Sequence, residues 1–313
     1  MSTRGIHVEI NPRWLDPAGH VALLNQAFPR QWSRADYDWY ITRPFHGMEN
    51  DTFVMADGQR LLSTMTMCYR QVGTGSSCPV DVGVLSAGAT LRSERGRGHY
   101  GRMLDAAREH ALEKGYAALL GFVTRDNTSG RGLAQRGARA LPSFYIFSVH
   151  GRGPRNRPPR HGAAPAAPGR AAVDVTAFAQ RESSGLRGAR FLYERAHDWR
   201  RQFTHRPNPV HVLRPTHDSL ALIETVRGSD RLQWLAAPRA KVTAIIAGLA
   251  GASATAGRQF FLYTLDPVLA AAARRLGLGI RPGYLMLWPT GLAANAWRAI
   301  ADTAWNVQSG DRL

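Results

Sequence analysis

The residues best placed to do chemistry run Gly88-Ala-Thr-Leu-Arg-Ser-Glu-Arg95-Gly-Arg-Gly98-His-Tyr-Gly101-Arg102. An apolar, strand-like run ends here, glycines follow at 96, 98 and 101, and a helical pattern begins. Glycines let the backbone turn tightly, so successive N–H groups converge. At a helix N-terminus those groups and the helix dipole favour an anion. Arg95, Arg97 and Arg102 add positive charge around the turn. The chemistry expected is the binding of a pyrophosphate. No Gly-Lys-Ser/Thr follows, which excludes a Walker loop, and the glycine spacing is not that of a dinucleotide fold.

The elements that must hold this turn can be read on either side of it. Strands are expected over 52–56 and 61–68, joined at Asp57-Gly58, then over 80–91. A helix over 98–114 stops at Gly115, a strand spans 117–123, a helix spans 129–136, and a last strand spans 143–149. Upstream, Asp16-Pro17 opens a helix to Phe28, and a short helix from Ser33 carries Tyr37, Trp39 and Tyr40. Hairpins first and crossovers later imply an α/β fold with a mixed sheet and helices on both faces.

The second half repeats this rhythm. Strands at 220–226 and 231–236 flank Arg227-Gly-Ser-Asp230, and a helix over 240–251 and a strand over 259–265 follow. A helix opened by Asp266-Pro267 and a strand over 284–288 complete it. Leu133-Ala-Gln-Arg-Gly137, Pro142 and Ser143-Phe-Tyr-Ile-Phe147 are echoed by Ala273-Arg-Arg-Leu-Gly277, Pro282 and Gly283-Tyr-Leu-Met-Leu287. We read a tandem repeat whose second copy has decayed.

A chain of 313 residues suffices for two domains, and no apolar run is long enough to span a membrane. Residues 151–170 hold five Pro and five Arg without an acid, and read as an extended linker. The expected organisation is a domain at 1–150, a linker at 151–170 and a second domain at 171–313. Residues 1–150 carry 17 basic and 13 acidic side chains, and 171–313 carry 18 and 10. The net charge of +17 is therefore spread over the chain. Spread charge attracts anionic cofactors without drawing a nucleic-acid groove, so nucleic acid is not the expected partner, although tRNA stays open. With only Cys68 and Cys78, a disulfide framework is excluded. The first residues lack the apolar core of a signal peptide, and the expected location is cytoplasmic. The histidines show no metal-ligand spacing, and no metal is expected.

The turn resembles the cofactor signature of the GNAT N-acetyltransferase superfamily, Gln/Arg-x-x-Gly-x-Gly/Ala, at Arg95-x-x-Gly98. Tyr100 stands where that signature has Gly or Ala, with Gly101 next to it. The resemblance covers about residues 15–150 and implies a GNAT-like fold with a second, degenerate GNAT-like domain walling the acceptor cleft. It further implies a co-substrate, acetyl-CoA or another acyl-CoA, in contact with Ala89, Thr90, Leu91, Arg95, Gly96, Arg97, Gly98, His99, Tyr100, Gly101 and Arg102. Downstream, Asn127 and Ser129 resemble the family's second cofactor segment, where they would face the pantetheine. The second half lacks a glycine-rich loop and should not bind another CoA.

Acyl transfer to an amine requires removal of the amine proton, a donor to the thioester oxygen and a proton for the leaving thiolate. The resemblance implies a backbone donor on a bulged fourth strand, for which the N–H of Leu91 is the candidate. Asp81, opening that strand, is the candidate base. The family's usual Tyr acid falls on Leu133, so Tyr145 and Tyr100 are the substitutes. Asp36, Asp38 and Trp39 fall where the family's first helices border the acceptor. The expected activity is transfer of an acetyl or other acyl group to the primary amine of a small molecule, such as a natural product, amino sugar or antibiotic. The alternatives are an aminoacyl-tRNA-dependent transferase and a non-catalytic protein that binds CoA or nucleic acid. The oligomeric state is not read from the sequence.

Overall fold

The structure is a computed structural model that describes residues 6–28, 31–74, 78–148, 188–193, 195–291 and 294–312. The expected linker at 151–170 lies outside the described residues. In chain order the elements are β1 (Val8–Ile10), α1 (Pro17–Ala27), α2 (Arg34–Tyr37), β2 (Asp51–Asp57), β3 (Arg60–Gly73), β4 (Val80–Thr90), α3 (His99–Glu113), β5 (Ala118–Thr124), α4 (Thr128–Gln135) and β6 (Arg139–Phe147). They continue with β7 (Arg190–Phe191), α5 (Ala196–Phe203), β8 (Val210–Leu213), β9 (Leu220–Val226), β10 (Ser229–Ala236), α6 (Arg239–Thr255), β11 (Gln259–Thr264), α7 (Pro267–Arg275), β12 (Gly279–Pro289) and α8 (Ala294–Ala301). The fold is α/β, with mixed pairing in each half.

The chain divides into two compact units whose borders cut through strands. Unit 1 takes Met1–Leu141 and Leu285–Thr303, and unit 2 takes Pro142–Tyr284 and Ala304–Arg312. In unit 1 the strand order is β1-β2-β3-β4-β5, followed by residues 285–289 of β12. In unit 2 residues 142–147 of β6 pair antiparallel with β11, Phe147 opposite Phe261, and β10, β9 and β8 follow. Each unit is thus completed by the last strand of the other half of the chain. Both strands start before their expected positions, at 139 and 279. Pro142 and Pro282, expected to mark their beginnings, lie within them.

The helix ends explain the internal echo. After α4, the N–H of Gly137 bonds to Ala134 O and that of Ala138 to Leu133 O. After α7, Gly277 bonds to Arg274 O and Leu278 to Ala273 O in the same pattern. The ends of α3 at Gly115 and α6 at Gly257 form the same pair of bonds. This capping arrangement places its glycine in the left-handed region and turns the chain sharply into the following strand.

Within unit 1, α1, α2 and the π-helical turn Asp38–Thr42 that follows cover β4 through a cluster of Leu23, Leu24, Tyr37, Trp39, Tyr40 and Ile41 packed around Ala89. Asp16 caps α1 through Gly19 N, and Ser33 and Asp36 form a reciprocal capping box on α2. Below the cluster His20 is fully buried, hydrogen-bonded to the hydroxyls of Thr64 at 2.9 Å and Tyr37 at 3.3 Å. Burial lowers its pKa to about 4, so the imidazole is neutral at physiological pH.

An unfolded His20 gains its proton near pH 6.5, whereas the folded one resists until about 4. The unfolded state therefore binds more protons in that window, and stability falls as pH drops through it. Urea unfolding of wild type and His20→Gln at pH 7.5 and 5.0 should show the wild type losing about 2 kcal/mol more than the variant. Equal losses would show that His20 is not the group responsible.

Candidate functional site

The site begins where two strands part. β4 and β5 pair in parallel from Val82↔Ala118 to Leu85↔Gly121 and no further. Two residues later β4 slips against β3, because Thr66 faces Ser86 while Thr64 faces Ala89. Ala87 and Gly88 together oppose Met65, a bulge in which Ala87 takes a φ of 49°. A bulge bends its strand and interrupts the ladder, leaving backbone groups for another partner.

Past the bulge the chain forms a short turn, Arg92–Glu94, and enters α3 through glycines in the left-handed region, with φ of 82° at Gly96 and 78° at Gly98. Gly98 is the N-cap of α3 and supplies no side chain to the first-turn N–H groups. A Cβ built on either glycine meets nothing within 4 Å, so the turn faces open space. The turn is braced from beneath by Glu94, whose buried carboxylate reaches Arg97 at 3.2 Å, Arg60 at 3.4 Å and His99 at 3.5 Å. Its burial among these groups makes Glu94 the anchor of the loop.

A groove of about 860 Å³ runs from this turn past Ala89 and Thr90 to the N-terminus of α4. Arg95, Arg102, Arg131 and Arg136 line it. Arg136 is held by a two-pronged pair with Asp105, at 2.6 and 2.9 Å, which keeps the Asp105 carboxyl below the usual carboxylate range. Its guanidinium lies so close to Gly101 that a Cβ there would sit 2.8 Å from Nη2. Four guanidinium groups beside open helix N–H groups suit a dianionic pyrophosphate.

The other end of the groove is crossed by Tyr100. Its ring lies 2.7 Å from a Cβ built on Gly88 of β4 and 4.0 Å from one built on Gly132 of α4. The hydroxyl bonds to Ser129, and burial raises the phenol pKa. Glycine at 88 lets the ring approach the strand this closely.

Of the sequence candidates, the groove gathers Ala89, Thr90, Arg95, Gly96, Gly98, His99, Tyr100, Gly101, Arg102 and Ser129. Arg97 points instead to Glu94. Asn127 caps α4, accepting from Ser129 N at 2.8 Å, so its side chain is committed to the helix. The Leu91 N–H, the candidate carbonyl donor, donates to Leu62 O at 3.0 Å, one residue past the end of β4. Asp81 lies at the far end of β4, about 20 Å along the strand from Gly88. It accepts from Tyr69 at 2.8 Å and Gln71 at 3.0 Å. Tyr145 belongs to unit 2, packed against Tyr263 with the Arg312 guanidinium over its ring. Asp36 is tied into the α2 capping box and Asp38 to Arg34 at 2.8 Å. Trp39 is a core residue under the Arg43 guanidinium. None of these last five lines the groove.

Sequence reasoning missed Glu94, Asp105, Arg131 and Arg136 as parts of the site. Arg136 carried one signal, its position in the helix-end pattern before Gly137. Asp105 reaches it only because α3 and α4 pack together. Among the described residues no three or more His, Cys, Asp or Glu converge, and no helix is long and apolar enough to cross a membrane.

Comparison with solved structures decides the fold. A tandem GNAT protein from the clavulanic acid biosynthesis pathway superposes with a TM-score of 0.60 at 15% identity, covering 92% of this chain and 100% of that one. The chain has a GNAT fold. A putative acetyltransferase from Pyrococcus horikoshii matches with a TM-score of 0.60 at 10% identity, covering 92% and 91%. A probable N-acyltransferase from Enterococcus faecalis matches with a TM-score of 0.58 at 11% identity, covering 92% and 73%. Neither protein-family models nor curated protein sequences give a match. The likeness to the tandem GNAT protein covers 92% of this chain, so it extends beyond the half that carries the groove.

Gly98→Glu would place a carboxylate in the open face of the turn and strain a left-handed backbone position. Calorimetric titration with CoA should show binding lost in this variant with the fold intact by circular dichroism. Unchanged affinity would move the phosphate site elsewhere.

Proposed function

We propose that the protein is an acyl-CoA-dependent N-acyltransferase that moves an acetyl or other acyl group to the primary amine of a small molecule. The supporting observation is the groove of unit 1: an arginine-lined, helix-capping glycine turn that leads to a bulge where β4 and β5 part. Acyl-CoA would supply a thioester whose acyl carbon the amine attacks. The chain's part is to hold and polarise it. Arg95, Arg102, Arg131 and Arg136 hold the pyrophosphate, with the N–H groups after Gly98. The bulged backbone at 87–89 offers an N–H to the thioester oxygen, where charge grows during attack. Tyr100 is the proton source, since its ring lies against Gly88 of the bulge and burial raises its pKa, which keeps the phenol protonated at neutral pH. We place this activity in the cytoplasm, where the free Cys68 and Cys78 would stay reduced. We retain 1–150 as the catalytic half, a linker at 151–170 and a degenerate GNAT-like half at 171–313 as the organisation by sequence.

Titration of the purified protein with acetyl-CoA and with free CoA should give saturable one-to-one binding. Absence of heat with both, in folded protein, would overturn the acyl-CoA reading.

Tyr100 also tests how the groove is used. Tyr100→Ala, which clears the crossing, should bind CoA several-fold more tightly than wild type. Tyr100→Phe, which keeps the ring and loses the proton, should leave affinity nearly unchanged and lower acyl transfer to the preferred amine by about 10²-fold or more. Full turnover in Tyr100→Phe would exclude the phenol as the acid.

A further inference from the structure

Unit 2 carries the same local device as unit 1. There β10 and β11 pair in parallel at Ser229, Asp230 and Arg231, and then pairing stops. Two residues on, the register of β10 against β9 slips at Gln233. In unit 1 the interval from the last parallel pair, Leu85, to the bulge at Ala87 is the same. Counted from the bulge, Leu235 on β10 corresponds to Ala89 on β4. The opening between β10 and β11 is therefore built like the one that forms the groove.

This second opening is filled by the chain itself. The Gln308 carboxamide takes both backbone groups of Leu235: its Oε1 accepts from Leu235 N at 2.6 Å and its Nε2 donates to Leu235 O at 3.3 Å. Across the gap Gln308 bridges antiparallel to Thr264 on β11, and the Ser309 hydroxyl accepts from Tyr263 N at 2.6 Å. Gln202 donates to Gly310 O, and Tyr193 donates to Asp311 at 2.6 Å. Gly310 sits against Phe203 with no room for a side chain. Val307, Ser309 and Asp311 are buried, and a cavity of about 260 Å³ remains beside them. Both parted strands thus bond to one segment, in which the bridge at Gln308 carries the amide and Ser309–Asp311 closes as a 3₁₀ turn.

We infer that the β10/β11 cleft is a binding site for an amide-bearing chain, and that residues 304–312 are its resident ligand. They take in unit 2 the place that the cofactor arm takes in unit 1. The anion end of this second site is gone. Only Ala237 and Pro238 separate β10 from α6, against eight residues between β4 and α3. The N-cap is Pro238, which has no N–H to offer a phosphate. A ligand with no phosphate anchor binds weakly unless it is tethered, and a covalent tether supplies the effective concentration that the lost anchor once gave. The comparison with a cofactor arm rests on the acyl-CoA reading of the first groove. Occupancy of the second cleft by the C-terminal segment does not.

The test uses the full chain carrying Gln308→Ala and Ser309→Ala, with amide hydrogen exchange read at Leu235 and Tyr263. Exchange at both should quicken by about 10-fold or more, while the Leu91 amide in unit 1 keeps its wild-type rate. Millimolar pantetheine, which carries amides and no phosphate, should slow Leu235 exchange in the double variant and leave wild type unchanged. Should the double variant unfold, Gln308→Leu alone is read in the same way. Wild-type exchange at Leu235 and Tyr263 in the variant would overturn the resident-ligand assignment. Quickened exchange that pantetheine does not slow would overturn the likeness to a cofactor arm. Failure of the acyl-CoA reading itself would show separately, as absent CoA binding in wild type.

Discussion

The architecture of the site depends on a hydrogen-bond ladder that stops. Four parallel pairs join β4 to β5, and the bulge at Ala87–Gly88 keeps the ladder from continuing. A sheet buries its backbone polar groups by pairing them, so a gap in its interior must be filled by something that bonds equally well. Every feature of the groove follows from that demand. The glycine turn places helix N–H groups at one mouth of the gap, α4 walls its side, and Tyr100 lies across it with its hydroxyl on Ser129. The same demand explains the buried contacts of Gln308 and Ser309 in unit 2.

Much of this was legible in the chain. Helix starts at Asp16-Pro17, Ser33 and Asp266-Pro267 fell where caps formed, because a capping side chain and its N–H partner lie within three residues. The phosphate turn was legible for the same reason, since its glycines and arginines are contiguous. The bulge was not, because it is a register slip between β3 and β4, and nothing in 86–90 alone announces which residue is extra. Leu91 was chosen as donor by its position along the strand, whereas its N–H is consumed by Leu62, a partner 29 residues earlier.

The candidates that lie outside the groove share a cause. Asp36, Asp38, Asn127 and Asp81 are polar side chains read as chemistry, and each is committed to a local bond: a capping box, an ion pair, a helix cap and a cross-strand triad with Tyr69 and Gln71. Those gained depend on contacts across elements: Asp105 on α3 meets Arg136 after α4, and Glu94 meets Arg60 at the start of β3. Glu94 has Arg97 and His99 close by in the chain, but nothing local marks its burial, which Arg60 on β3 completes. Burial of that charge is tolerable only with such company, and the cost of removing one partner falls on the loop.

The traded final strands give the molecule a biography. Unit 1 includes residues 285–303, so a nascent chain that has emerged as far as residue 150 has made most of unit 1 and cannot complete it. Unit 2 in turn holds residues 142–147, synthesised long before the rest of its sheet. Neither half reaches its native edge alone, and contacts so distant in sequence form slowly. A gene for either half by itself would encode a sheet with an unpaired border, open to pairing with other chains. Separating the two units would therefore cost each a strand that the other half of the chain supplies.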